Sequence, residues 1–289
     1  MFLSQRRTTV YPAIDPEGSL RDASKGKVIV ITGAGRGIGK EMARTFAFTG
    51  ARGLVLISRT KTQLEQVELE IQSINPKCMV KSFALDISHT EDVQNMIKNA
   101  VASFEQIDIL MANAGIMEPS SGTLDEADPF AWWHVCEVNL KGTFNMCQAF
   151  IQHRKSLDNC RTPGTIIATS DQACTQLFPG YSAHCITKTA INRIIEYANV
   201  ENQGIIRAFS INPGGVPTEL AFSCPERFHQ YLTVDARLPA AVSVWLATSE
   251  RAAFLAGRFV DCQWDVDELC ALQEQIINGD LLSLRVKTK

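Results

Sequence analysis

The chain has 289 residues, 45% hydrophobic and 20% charged, a balance that argues against long disorder, a fibrous repeat and a coiled coil and predicts a packed core. A formal charge of -3 leaves no cationic surplus to hold a nucleic acid backbone or an acidic membrane, so neither is expected as a partner. Nine scattered cysteines without a C-x-x-C pair predict reduced thiols, and with no signal peptide and no run of roughly 18 apolar residues a soluble cytoplasmic protein is the expectation.

The stretch YPAIDPEGS (11–19) has two prolines, a glycine and no usable period, so residues 1–25 read as a surface arm outside the core. From Lys27 onward, short apolar runs alternate with segments of helical period. KVIVIT (27–32) precedes a helix from Ile38 to Thr49, and GLVLIS (53–58) one from Gln63 to Ser73. CMVKSFAL (78–85) precedes a helix from Asp92 to Phe104, and IDILMANAG (107–115) follows. The second half continues with a helix from Phe130 to Gln152, strand GTIIATS (164–170), a helix from Tyr181 to Glu201 and strand IIRAFSIN (205–212). Residues 216–237 break this rhythm; a helix from Ala240 to Thr248, the strand GRFVDC (257–262) and a tail over about 264–289 complete the chain. Strands this rich in Val, Ile and Leu need cover on both faces, which predicts an α/β, Rossmann-type doubly wound parallel sheet. One domain over 26–289 accounts for the pattern, with 216–237 as a lid before the last helix and strand.

Directly after the first strand stands Thr32-Gly33-Ala34-Gly35-Arg36-Gly37-Ile38-Gly39, opening a helix. Glycines there permit a tight turn and let the backbone approach a pyrophosphate, whose charge meets the helix N-terminus. A turn that only packs helix on strand has the same composition. Ser58 and Arg59, at the end of the second strand, and Arg36 suit a 2′-phosphate better than a bare ribose, which favours NADP(H); solvated surface arginines are the alternative. Asp86 ends the third strand, where a carboxylate can accept from an adenine amino group, and Asn113-Ala114-Gly115 ends the fourth.

These residues resemble the short-chain dehydrogenase/reductase (SDR) family over roughly Gly26 to Asp265. The likeness rests on TGAGRGIG, Asp86, the NAG of 113–115, Asn139 in VNLKGTF, Lys188, and Asn212-Pro213-Gly214-Gly215-Val216 with Thr218. The YPAIDP arm and the close FLAGRFVDCQWDVDEL resemble members from filamentous fungi, many of which serve secondary-metabolite pathways. The resemblance implies a cofactor site of Thr32, Gly33, Gly35, Arg36, Gly37, Ile38, Gly39, Ser58, Arg59, Asp86, Ile87, Asn113, Ala114, Gly115, Lys188, Pro213, Gly214, Val216 and Thr218. It also implies a homodimer or tetramer.

The family places a serine at the end of the fifth strand, a tyrosine thirteen residues later and a lysine four beyond that. Counted back from Lys188, His184 stands at the tyrosine position and Asp171 at the serine position. Ser170 is one residue out of register, and Tyr181 has Cys185, not a lysine, four residues later. His184 and Lys188 are four apart on a helix and share a face. An Asp171–His184 couple suits general acid/base work, with the carboxylate orienting one ring nitrogen and the other facing substrate. A histidine that only fills the cleft and an aspartate that only caps a strand end are the plainer readings. Asn139 is expected to bind a backbone carbonyl and a water leading to Lys188; a satisfied buried amide is the alternative.

The remaining histidines lack metal-ligand spacing, so no metal is expected, although His229 in the lid is worth following. Leu220, Phe222, Phe228, Tyr231 and Leu232 of the lid suit an apolar small molecule, or else pack on the body. Trp132 and Trp133 lie where homologous folds pair subunits, or in the core. The leading expectation is an NADP(H)-dependent oxidoreductase acting on a carbonyl, imine or alcohol in a biosynthetic pathway. A non-redox isomerase, dehydratase or cyclase using Asp171 and His184 is the second reading, and a nucleotide-binding protein without turnover the third.

Overall fold

The computed structural model describes residues 6–117, 122–157 and 162–286; Cys160, residues 1–5 of the arm and residues 287–289 of the tail lie outside them. The apolar runs form β1 (Val28–Thr32), β2 (Gly53–Ser58), β3 (Met79–Ala84), β4 (Ile109–Ala112), β5 (Gly164–Thr169), β6 (Ile206–Asn212) and β7 (Phe259–Asp261). They make one seven-stranded sheet in the order β3-β2-β1-β4-β5-β6-β7, and every neighbouring pair is parallel. Val30 sits opposite Val55 on one side and Leu110 on the other.

Helices cover both faces. Ile29 and Ile31 pack with α1 (Gly37–Phe48), α2 (Lys61–Ile74) and α8 (Arg237–Thr248). Val28 and Val30 turn the other way, toward α3 (Thr90–Phe104), α5 (Gly142–Lys155) and α6 (Ser182–Val200). Both alternate sets are apolar because both meet helices, which is why the central strands show no polar alternation. The edge strand β3 has no fully buried residue and mixes exposed with half-buried positions.

Several elements start where polar residues stop their helices from fraying. Asp128 accepts from the N–H groups of Phe130 and Ala131 and, with Pro129, opens α4 (Pro129–Cys136). The helix expected over 130–152 is interrupted: residues Glu137–Lys141 form a π-helical turn between α4 and α5, and Asn139 lies in it. Such turns widen a helix by one residue and are common at functional sites. The lid contains only α7 (Glu219–Phe222) and a 3₁₀ turn (Glu226–Tyr231).

Two segments differ from expectation. The stretch before Gly26 is not an arm lying outside the core: Ile14 is fully buried, Leu20 is nearly so, and both belong to the α1/α8-side core. Its prolines and acidic residues end regular structure without removing the apolar groups between them. Arg6 pairs with Asp261 at 2.9 Å and Arg7 with Asp265 at 2.7 Å, which fastens the segment to the end of β7 and the turn after it. The tail likewise contains α9 (Val266–Ala271) and α10 (Gln273–Asn278), with Leu269 and Ile276 fully buried. Asp265 caps α9 by accepting from the N–H groups of Asp267 and Glu268.

Ile14→Ala should therefore cost about 2–5 kcal/mol of folding stability, read as a lower midpoint in urea unfolding, whereas an arm outside the core would lose almost nothing.

Candidate functional site

Thr32 ends β1 with its side chain buried, and its hydroxyl oxygen accepts the backbone N–H groups of Asn113 (3.0 Å) and Ala114 (2.9 Å) beyond β4. The Asn113 amide nitrogen donates back to the Thr32 carbonyl at 3.1 Å, and Thr169 at the end of β5 donates to the Asn113 amide oxygen at 3.1 Å. Three strand ends are thus tied at one level. Beyond them lies a cleft of about 710 Å³.

The glycine loop forms one wall. Gly33 has φ +68°, and a Cβ there would stand 3.0 Å from the Ala114 Cα. At Gly39 a Cβ would come within 2.2 Å of the Gly33 carbonyl oxygen, so any side chain would push α1 off the turn. Among the described residues no side chain caps the start of α1, which leaves its first N–H groups for an anion from the cleft. These features fit a phosphate-bearing ligand. Arg36 at the rim forms an ion pair with Glu219 of the lid.

Most of the residues expected at a cofactor site line this cleft: Gly33, Gly35, Arg36, Gly37 and Ile38 from the loop, Ser58 and Arg59 after β2, Asp86 and Ile87 after β3. Asn113, Ala114, Gly115, Lys188, Pro213, Gly214, Val216 and Thr218 complete it. Thr32 and Gly39 stand behind the wall as supports of the turn. Burial opposes ionisation of Asp86, but the Ser88 N–H, the Ser88 hydroxyl and the Arg59 charge outweigh it and hold the carboxyl below its usual range. Thr218 caps α7 by accepting from the Ala221 N–H, and its methyl lies against Gly37.

The other end of the cleft gathers Asp171, His184 and Lys188. Asp171 follows β5 and accepts from the Ala173 N–H at 2.7 Å, capping a single 3₁₀ turn (Gln172–Cys174). His184 and Lys188 share the buried face of α6, as their spacing requires. His184 Nε2 lies 3.7 Å from Asp171 Oδ2, close enough for charge attraction but longer than a hydrogen bond. His184 Nδ1 is sealed from solvent and has no hydrogen-bond partner among the described residues. The expected relay, with one nitrogen on the carboxylate and the second on the substrate, is therefore not formed: Nε2 alone is available, and it can meet the carboxylate or a substrate but not both at once.

Burial is the strongest influence on Asp171 and opposes its charge, but His184, the Ala173 N–H and Lys188 prevail and keep the carboxyl below its usual range. Lys188 Nζ donates to the Thr169 carbonyl at 2.7 Å, which uses one of three donors. Burial pushes this ammonium below its usual value, with Asp171 opposing. Asn139 clamps Ile116 from both sides, accepting from its N–H and donating to its carbonyl, each at 2.8 Å. Ser170, one residue out of register, also lines the cleft, but its buried hydroxyl donates to the Lys188 carbonyl at 3.0 Å. Tyr181 is buried beside Phe178, Cys185 and Met117.

From the lid, Leu220, Phe228 and Leu232 line the cleft, Leu220 at its exposed side, while Phe222 and Tyr231 are exposed and do not line it. His229 does not line it; Nε2 meets the Cys224 carbonyl at 2.8 Å within the lid. Met117 and Cys224, neither singled out in the sequence, bring their sulfurs within 3.9 Å of each other across the cleft mouth. No periodic signal marks such loop residues. Among the described residues, no group of three or more His, Cys, Asp or Glu could hold a metal, and no helix is long and apolar enough to cross a membrane.

The family model for short chain dehydrogenases matches residues 27–227. The short chain dehydrogenases mpl6 of Monascus purpureus and citE of Monascus ruber are each 32% identical over 295 residues, spanning 99% of this chain and 96% of the relative. Among solved structures, a 3-ketoacyl-(acyl-carrier-protein) reductase from Brucella melitensis complexed with NADH superposes with a TM-score of 0.74. That match has 26% identity and covers 82% of this chain and 96% of the other. A short chain dehydrogenase from Shigella flexneri 2a str. 301 complexed with NADP gives a TM-score of 0.75 at 26% identity, covering 84% and 99%. With the parallel sheet, the glycine turn and the clustered strand ends, these matches show that the chain belongs to the short-chain dehydrogenase/reductase family of oxidoreductases.

Proposed function

We propose that the protein is a cytoplasmic NADP(H)-dependent oxidoreductase that interconverts a carbonyl or imine and its reduced form on an apolar small molecule, in a biosynthetic, secondary-metabolite pathway. The observation that carries this is the single cleft in which the glycine turn and two arginines, Arg36 and Arg59, meet Asp171, His184 and Lys188. When bound, the dinucleotide supplies or accepts hydride. The chain's own residues do the rest: the start of α1 receives the pyrophosphate, Arg36 and Arg59 the 2′-phosphate, Asp86 the adenine, and Lys188 the nicotinamide ribose. Leu220, Phe228 and Leu232 exclude water from the opposite end.

A 2′-phosphate must compete with Glu219 for Arg36, whereas Arg59 has no such rival among the described ion pairs. Arg59→Ala should weaken NADPH binding about tenfold or more while leaving NADH binding nearly unchanged, as measured by fluorescence titration. Equal loss for both cofactors would refute the 2′-phosphate role.

A second reading follows from the Asp171–His184 pair itself, which occupies the reaction end where the family carries serine and tyrosine. Two titratable groups in one cleft can move protons in an isomerase, dehydratase or cyclase without net redox change. Under the redox reading, nicotinamide absorbance changes in step with product. Under the second it stays flat while product forms, and His184→Phe slows that product by about 10²–10⁴.

We further propose a homodimer or tetramer joined through α4 and α5, where Phe130, Trp133 and Phe144 are exposed while Trp132 is held inward by donating to the Ser182 hydroxyl at 2.9 Å. Trp133→Glu should reduce the mass seen by light scattering to that of one chain.

A further inference from the structure

Asp171 introduces a charge that a carbonyl reductase would not place at its reaction end. Its side chain is 41% exposed to the cleft, and Oδ1 is fixed by the Ala173 N–H. Lys188 and His184 favour that charge without saturating it: Lys188 is buried and donates to the Thr169 carbonyl, and the Cys224 thiol, from the lid, is neutral, kept protonated by burial and by Asp171 itself. His184 reaches only with Nε2, since Nδ1 is closed off, and Nε2 is not hydrogen-bonded to the carboxylate. The Ser170 hydroxyl donates to the Lys188 carbonyl, and the Thr169 hydroxyl to the Asn113 amide oxygen.

Hydride addition to a ketone moves the π pair onto oxygen and builds an alkoxide, which needs donors and a proton at once. A carboxylate at that end repels the charge as it forms. Hydride addition to an iminium carbon instead moves the C=N π pair onto nitrogen as a lone pair. The two electrons and the proton of the hydride end in the new C–H bond, the positive charge is cancelled, and that step needs no proton. The amine then takes a proton from water, so substrate and product are both cations and both find a partner in Asp171.

We propose that Asp171 is the counter-ion of a cationic reaction centre and that the substrates are cyclic or N-substituted iminium–amine pairs; a cleft-facing carboxylate beside a histidine with one sealed nitrogen is the juxtaposition that carries it. The proposal rests on the nicotinamide-dependent redox reading and narrows its substrate class. The walls agree with it: the Met117 and Cys224 sulfurs and the Phe228 ring give a polarisable lining for the apolar part of an amine.

The test begins with binding. N-methyl-1,2,3,4-tetrahydroisoquinoline, a cation at neutral pH, and the neutral isostere 2-tetralol are titrated calorimetrically into the wild-type protein with and without NADP⁺. The cation should bind about tenfold tighter or more, and Asp171→Asn should remove that difference while leaving the neutral ligand within about twofold. Equal or weaker binding of the cation to wild type overturns the proposal, whether or not the variant folds. Loss of both ligands in an Asp171→Asn protein that still binds NADPH overturns it too. Reduction is then followed with N-methyl-3,4-dihydroisoquinolinium and 2-tetralone. A kcat/KM favouring the iminium supports the proposal and one favouring the ketone refutes it. Cation-selective binding with no NADPH oxidation by either compound refutes the redox reading and keeps the counter-ion assignment.

Discussion

The Thr32 hydroxyl holds together the carboxyl ends of two strands from which the chain then leaves toward opposite faces of the sheet. After β1 it turns into α1; after β4 it passes to the side of α5 and α6. Divergence of adjacent strands opens a crevice at their ends, and the two hydrogen bonds from Asn113 and Ala114 keep that crevice from widening. Every group of the site is placed relative to this point. Gly33 fits against Ala114 because the two strand ends are so close, and Gly39 can follow Gly33 only without a side chain.

The reaction end is positioned by a second frame, α6, whose buried face carries His184 and Lys188 one turn apart. That helix is held against the π turn by Asn139, which donates to the Thr187 hydroxyl at 3.2 Å while clamping Ile116. At the positions where the family resemblance implies a tyrosine and a serine, this frame carries His184 and Asp171, and so presents an imidazole and a carboxylate.

The sheet was legible because its strands are long apolar runs at helical intervals, and the cleft because the glycine turn follows a strand. Less was legible where a residue's role depends on which way its side chain leaves the backbone. Thr32 and Gly39 read as cofactor contacts but support the turn from behind. His184 read as half of a two-nitrogen relay, yet the ring orientation that buries Nδ1 is set by packing on α6 and has no sequence signature. Met117 and Cys224 come from segments without a period, joined only by the fold. Proline and glycine punctuation hid Ile14 and Leu20, because breaker residues report where regular structure stops and say nothing of what is buried between them.

That buried first segment also bears on where the domain can be cut. Arg6 and Asp261 are 255 positions apart, and the Tyr11 hydroxyl oxygen accepts the Val266 N–H across the same span. The Pro12–Ile14 turn packs on α8 and α9, so the core on this side of the sheet is lined by residues from both ends of the described chain. A chain shortened to begin at Gly26 would therefore uncover apolar surface on α8 and α9 that the whole domain keeps from water.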